Sequence, residues 1–493
     1  MPAAATATLS TLSPALLLTV VVAYFALLLG VARLSARGAT NDSFFIGNKS
    51  SPWMLVAFGM VGTSLSGVTF ISVPGAVGTT AFSYLQIALG QFIGYIVIAY
   101  VLLPLYYRLN LSSIYRYLGE RLGPRAYQTG AGFFMVSRTL GATARLYLVV
   151  KILQELILAR LGVPFWLTAA VILLMILAYT FEGGVKTIVW TDTLQTSGML
   201  IGLLVCIAYL LHSMDLSVAQ SWATLDEVGL SQVFVTDPLS RFFFVKQIAA
   251  GAFISIAMTG MDQEMMQKNI SVKRLADSQK NMLVLAVIML IVIGLFLFLG
   301  GLLHLFTAQQ GLSLRGDEVF GAVVMGYLPA WVQLIFVIAL ISALFPSADG
   351  AITALTSSFC IDLLGLQQRA DWPEAKRTAV RQRVHLAFAA VFMVLVMVFR
   401  WVDNPSMIGL ILKLAGYTYG PLLGLFAFGV LTQRQPNDRA VPLIAVAAPL
   451  LCWLIDSQQK TLFGGYEIGL ELLLLNGLLT FAGLWAISHR KAA

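Results

Sequence analysis

Phe58-Gly59-Met60-Val61-Gly62-Thr63-Ser64-Leu65-Ser66-Gly67-Val68-Thr69-Phe70, followed by Pro74-Gly75, decides how the rest of the chain is read. The stretch lies in an apolar run, 52–75, long enough to cross a bilayer. Its density of Gly, Ser and Thr would nevertheless set exposed backbone polar groups against hydrocarbon, which offers them no hydrogen-bond partner. Two readings stand: a broken helix lining a cavity, or small residues that let neighbouring helices approach closely. A second segment favours the first. Five spans later, the run 242–267 carries Gly251, Ser255, Thr259-Gly260 and Asp262-Gln263, a comparable interruption at the matching place. Two such breaks suggest two repeats of five spans each, and the third run of each half, 126–158 and 329–364, reads as the long one.

The composition fits. Of 493 residues, 59% are hydrophobic and only 11% charged, too little polar surface to clothe a water-soluble globule of this size. Mean hydropathy is +0.85. Apolar runs recur at 12–34, 52–75, 79–106, 126–158, 162–180, 190–212, 242–267, 281–306, 329–364, 382–401, 406–432, 440–455 and 468–488, giving about thirteen transmembrane helices of an all-α polytopic membrane protein. The first run is too long for a signal peptide and lacks its small-residue cleavage site, so it reads as a retained span. Cys206, Cys360 and Cys452 all fall in apolar runs without paired spacing, which indicates neither a disulfide framework nor a metal cage.

The net charge of +8 does not point to nucleic acid, because the basic residues sit between apolar runs, where they fix orientation. With the C-terminus cytoplasmic, about 21 of the 31 Lys and Arg fall inside. Among them are Arg108, Arg116, Arg121 and Arg125; Lys268, Lys273, Arg274 and Lys280; Lys376, Arg377, Arg381 and Arg383; and Arg490 with Lys491. The opposite loops are acidic or neutral, with Asp215, Asp226, Glu227 and Asp237 in 213–241. The expected topology is a multi-pass protein of the plasma (inner) membrane, N-terminus outside and C-terminus inside.

Three further segments carry a family resemblance: Gly183-Gly184-Val185-Lys186-Thr187-Ile188-Val189-Trp190-Thr191-Asp192-Thr193-Leu194-Gln195, Ser347 to Asp362 ending Ser357-Ser358-Phe359-Cys360-Ile361-Asp362, and Tyr417-Thr418-Tyr419-Gly420-Pro421-Leu422-Leu423-Gly424. With the break at Gly62 to Phe70, they resemble the sodium:solute symporter family over most of the chain. The resemblance implies a leucine-transporter-like inverted five-helix repeat in one transporter domain. The leading helix is 12–34, the repeats are 52–212 and 242–432, and two trailing helices occupy 440–488. It implies sodium as coupling ion, no organic cofactor, and import of a small polar or anionic organic solute by alternating access. Carried over residue by residue, the sodium ligands are the carbonyls of Gly62, Leu65 and Ala343 and the hydroxyl of Ser347. The chemistry agrees, since a hard cation wants oxygens and an unwound helix frees carbonyls. Ala343, Ser347, Gly350/Ala351 and Ala354 also form one small-residue face.

The ninth run departs from the family pattern. Where members often have adjacent hydroxyls, Pro346 has none to give and only Ser347 remains, while Asp349 stands where small hydroxyl residues are common. Asp349 shares a polar stripe with Ser342, Pro346, Thr353 and Thr356. An Asp at a helix centre costs about 2.5–3.5 kcal/mol on insertion scales. Buried Asp192 and Asp349 therefore each need a cation, a basic partner or a proton. Asp192 and Asp349 are expected either to form a second cation site, or to share a proton, or to pair separately, Asp192 locally and Asp349 with a basic residue such as Lys413.

For the solute, Arg138 and Arg145 lie seven residues apart on one helical face, and a mid-membrane guanidinium calls for an anion. Pairing with Asp192 or Glu155, or snorkelling to an interface, is the alternative for each. Ser64, Ser66, Thr69, Gln86, Asp262 and Gln263 are further pocket candidates, with Tyr84 and Phe82 as a stacking wall. The partners expected are solute, sodium ions and lipid, with no nucleic acid and no obligatory protein. His212, His304, His385 and His489 form no pair that would suit a membrane-embedded enzyme, and too few residues follow the last span for a sensory module. A proton-coupled carrier of the same fold is the alternative, because Asp349 replaces hydroxyls suited to sodium.

Overall fold

The computed structural model describes residues 12–36, 44–45, 47–369, 371–402, 407–464 and 466–490; Lys491, counted above with the cytoplasmic charges, lies outside them. The membrane elements, in chain order, are α1 (Pro14–Ser35), α2 (Trp53–Ser64), α3 (Gly67–Thr80), α4 (Tyr84–Val97), α5 (Pro124–Leu153) and α6 (Phe165–Ser213). The second half holds α7 (Phe244–Ser255), α8 (Gln263–Ile270), α9 (Leu275–Gln309), α10 (Ala330–Ser358), α11 (Glu374–Val402), α12 (Met407–Thr418) and α13 (Gly420–Leu431). Two more, α14 (Val441–Ser457) and α15 (Leu472–Ala486), trail.

Among the described residues, eight helices are long and apolar enough to cross a membrane, or eleven spans if each of three bent pairs is one. Two shorter apolar helices, Phe165–Phe181 and Leu472–Ala486, fall where the remaining two runs were expected. The protein is an all-α, multi-pass membrane protein. Both breaks read from sequence are present: α2 and α3 meet at 55°, and α7, extended to Gly260 by a wide π turn, meets α8 at 65°. A third bend, 45° between α12 and α13, interrupts the run read as continuous over 406–432. The third element of each half is long, α5 continuing through a π turn to Leu158 and α10 through another to Leu363, and α9, at 35 residues, is of matching length.

Runs five and six join in α6, which turns at Gly184 with φ 53° and ψ −139°. A β-carbon there would lie 2.6 Å from the Phe44 Cα, so both dihedral and space require glycine. Helices in lipid gain little by burying apolar area against each other and depend instead on close backbone approach. That approach is visible between α4 and α7. A Cβ at Gly90 would come within 2.1 Å of the Ile248 carbonyl, and one at Gly251 within 2.3 Å of the Ile87 carbonyl. Elsewhere α6 runs along α10, α2 packs on α6, α3 on α9, and α5 on both α10 and α12. Phe70 on α3 anchors an aromatic cluster with Phe296, Phe320 and Phe336. A short antiparallel ribbon, β1 (Arg434–Pro436) with β2 (Ser488–Arg490), ties the last helix to the end of α13.

Candidate functional site at the helix breaks

The first break is made by Leu65 (φ −92°, ψ 67°) and Ser66 (φ −59°, ψ 170°). A helix end leaves carbonyls without intrahelical donors. Among the described residues no hydrogen bond reaches the carbonyls of Gly62 or Leu65. The second break differs. There Tyr106 donates to the Gly260 carbonyl at 2.8 Å and Tyr115 to that of Met261 at 3.0 Å. Asp262 then caps α8, accepting from the amides of Glu264 at 2.9 Å and Met265 at 3.3 Å. One break is closed by the protein's own donors and the other keeps its carbonyls open.

α10 lies beside the open break. The Ala343 carbonyl is 3.6 Å from where a β-carbon on Gly67 would stand. One turn on, the Ser347 hydroxyl is buried and has no hydrogen-bond partner among the described residues. The structure thus brings the elements bearing Gly62, Leu65, Ala343 and Ser347 together, with three of the four residues offering unengaged oxygens.

Between the breaks lies a cavity of about 90 Å3. Its walls are Thr63, Ser64, Ser66 and Thr69 of the first break, Ser255, Met258 and Thr259 before the second, Tyr84, Gln91 and Tyr95 of α4, Arg138 and Arg145 of α5, and Ile411 and Leu412 of α12. Ser64, Ser66, Thr69, Tyr84, Arg138 and Arg145 are therefore cavity residues. Gln86 is not: its amide serves the Phe242 carbonyl at 3.3 Å and the Val235 amide at 3.4 Å, holding a loop. Gln263 similarly bonds Ile114 N and Ser112 O, each at 3.0 Å. Asp262 works as a helix cap, and Phe82 packs on Trp222 instead of the cavity. Long amides near a break look like pocket residues in sequence, but a buried loop backbone has equal need of them.

The two arginines have different fates. The Arg138 guanidinium pairs with Glu264 and lies 4.0 Å from Asp262 Oδ2. Tyr419, at the third bend, donates to that same Asp262 oxygen at 2.7 Å. Arg145 faces the cavity with no direct hydrogen bond or ion pair among the described residues. Among the described residues neither arginine pairs with Glu155, which lies 4.0 Å from Lys151.

Asp192 also finds a partner that spacing did not suggest. Lys268 Nζ, from α8, lies 2.7 Å from Asp192 Oδ2, 2.6 Å from Thr63 Oγ1 and 3.5 Å from Glu264 Oε1, and all four residues are buried. Thr63 Oγ1 is 3.1 Å from the same Asp192 oxygen. This corrects the reading of Lys268 as a loop charge that sets orientation. Every residue of α8 is buried although the segment Gln263-Glu264-Met265-Met266-Gln267-Lys268-Asn269-Ile270 is largely polar. The i,i+4 spacing of Glu264 and Lys268 was the available signal. Asp349 accepts from the Tyr179 hydroxyl at 2.7 Å and from the Gly350 amide at 2.5 Å. It does not pair with Lys413, which bonds Asp456 at 2.8 Å. Asp192, Lys268 and Glu264 lie within its electrostatic reach. His385 is buried between Thr180 and Thr356, a structural setting. The three cysteines are buried and free, and no group of three His, Cys, Asp or Glu among the described residues could hold a metal ion.

Two broken helices that both line a polar cavity, within a bundle of this helix order, define a leucine-transporter-like fold. Residues 44–441 match the sequence model of the sodium:solute symporter family, and the chain belongs to that family, whose members are carriers rather than enzymes. It is 21% identical over 476 residues to the sodium/sialic acid symporter NanT of Aliivibrio fischeri, covering 93% of this chain and 91% of that one. The human sodium/iodide cotransporter is 23% identical over 438 residues, 86% of this chain and 66% of its own. A solved substrate-bound, outward-open sodium-coupled sialic acid symporter superposes with a TM-score of 0.81 at 17% identity, over 95% of this chain and 96% of that chain. That likeness confirms the fold.

Proposed function

We propose that this protein is a sodium-coupled symporter that imports a small, anionic organic solute by alternating access. Arg145 carries the reading of the solute: an arginine that faces the central cavity and has no direct acidic partner among the described residues calls for an anion. The solutes named for two relatives, sialic acid and iodide, are anions too. Sodium is read to bind at the carbonyls of Gly62, Leu65 and Ala343 and the hydroxyl of Ser347. Such an ion bridges the broken α2/α3 to α10, so filling it favours the arrangement in which those elements touch, and that arrangement shapes the cavity beside it. The basic-residue asymmetry supports a cytoplasmic C-terminus and an external N-terminus in the plasma (inner) membrane. We read the single domain as a leading helix, two five-span repeats and two trailing helices.

The test is stabilisation of purified protein by a panel of carboxylates, sugar acids and neutral analogues, in sodium and in choline buffer. Sodium-dependent stabilisation by anions that vanishes in Arg145→Gln supports the reading; equal response to neutral analogues removes it. Proton coupling is the second reading, favoured by Asp349, whose carboxyl has a tyrosine and an amide as partners but no direct basic one among the described residues. Uptake into proteoliposomes under a sodium gradient against a pH gradient separates the two.

A further inference from the structure

Resting on the sodium-coupled reading above, we propose that the Lys268 ammonium is a tethered cation filling the second cation position beside Asp192. The wild-type protein then binds one sodium ion, and Lys268 sets that number. The ammonium takes the oxygens a small hard cation would take: a carboxylate at 2.7 Å and a hydroxyl at 2.6 Å, with a second carboxylate at 3.5 Å. It arrives from α8, which meets the bundle at the second break, whereas Asp192 belongs to α6 and Thr63 to α2.

Acceptors in this region exceed what one ammonium satisfies. Asp192 Oδ1, and Thr196 Oγ1 one turn further along α6, are buried without hydrogen-bond partners among the described residues. Three carboxylates, Asp192, Glu264 and Asp349, lie within electrostatic reach of Lys268. A plain structural ion pair leaves no such surplus of oxygens. α10 meanwhile contributes little to a second ion: Pro346 has no hydroxyl, and each Asp349 oxygen is already bonded, to Tyr179 and to Gly350. Ser347 remains free, so Lys268 fills the Asp192 position and leaves the sodium ligands at the first break unengaged.

Removing the ammonium uncovers Asp192 and makes room for a mobile ion. The experiment counts sodium bound at saturation by purified protein with radioactive sodium, in wild type, Lys268→Gln, Lys268→Ala and the double variant Asp192→Asn/Lys268→Gln. Expected are one ion in wild type, two in either single variant, and one in the double variant. Two ions in wild type overturn the proposal without any variant, and so does one ion in a folded single variant. Should neither single variant fold, the wild-type count decides. No sodium bound by a wild-type protein that still binds solute fails the coupling reading itself, an outcome distinct from both.

Discussion

The Tyr179 hydroxyl lies 2.7 Å from Asp349 Oδ2, joining the first arm of α6 to the middle of α10. Among the described residues it is one of two groups that bond this buried carboxyl, the other being the Gly350 amide. Tyr179→Phe therefore removes a hydrogen bond to a buried carboxyl and is expected to cost about 1–3 kcal/mol, read as a lowered Tm. Asp349→Asn is expected to change the sodium dependence of uptake. An unchanged sodium affinity and Hill coefficient would take Asp349 out of the coupling machinery.

Ser347→Ala separates binding from stability. Its hydroxyl has no internal partner among the described residues, so the fold loses nothing by its removal. Sodium affinity, by contrast, is expected to fall about tenfold, the equivalent of about 1.4 kcal/mol for one lost ligand. A sodium titration of intrinsic fluorescence checks this, with Tm as the control.

Arg138 and Arg145 should behave oppositely when each is changed to Gln. Loss of Arg138 leaves Glu264 and Asp262 without their guanidinium partner, and breaking such a buried pair costs about 3–5 kcal/mol. The expected result is low yield or a depressed Tm. Loss of Arg145 breaks no pair among the described residues, so Tm should hold while solute binding disappears.

Gly184→Ala tests the corner of α6. The backbone there has a dihedral combination essentially confined to glycine, with about 1–3 kcal/mol of strain for other residues, and a methyl would also strike Phe44. Thermal stability should drop more than for Gly141→Ala, where the space around the added methyl is open.

Much of this architecture was legible in the order of residues because lipid imposes simple rules. Long apolar runs gave the spans, and clustered Gly, Ser and Thr marked the breaks at Leu65 and Met261. The third bend escaped notice since Thr418-Tyr419-Gly420 sits in strongly apolar surroundings. Gln86 and Gln263 showed their polarity but not its use, which is to hold distant loop backbone. Lys268 was the largest miss. Its partners Asp192 and Thr63 are 76 and 205 positions away, and no local pattern encodes a meeting at that separation. The division of labour between Arg138 and Arg145 was hidden for the same reason.

The backbone contact between α4 and α7 has a mechanical consequence. With glycines at Gly90 and Gly251 seating each helix against the other's carbonyls, no side-chain cushion lies between them there, so the two are expected to move as one stiff beam. In the alternating-access reading proposed above, rocking between faces would be taken up at the joints, Leu65–Ser66, Met261–Asp262 and Tyr419, where regular hydrogen bonding is interrupted. Bulk added at Gly90 or Gly251 would pry the beam apart, while stiffening a joint would leave it intact and immobile.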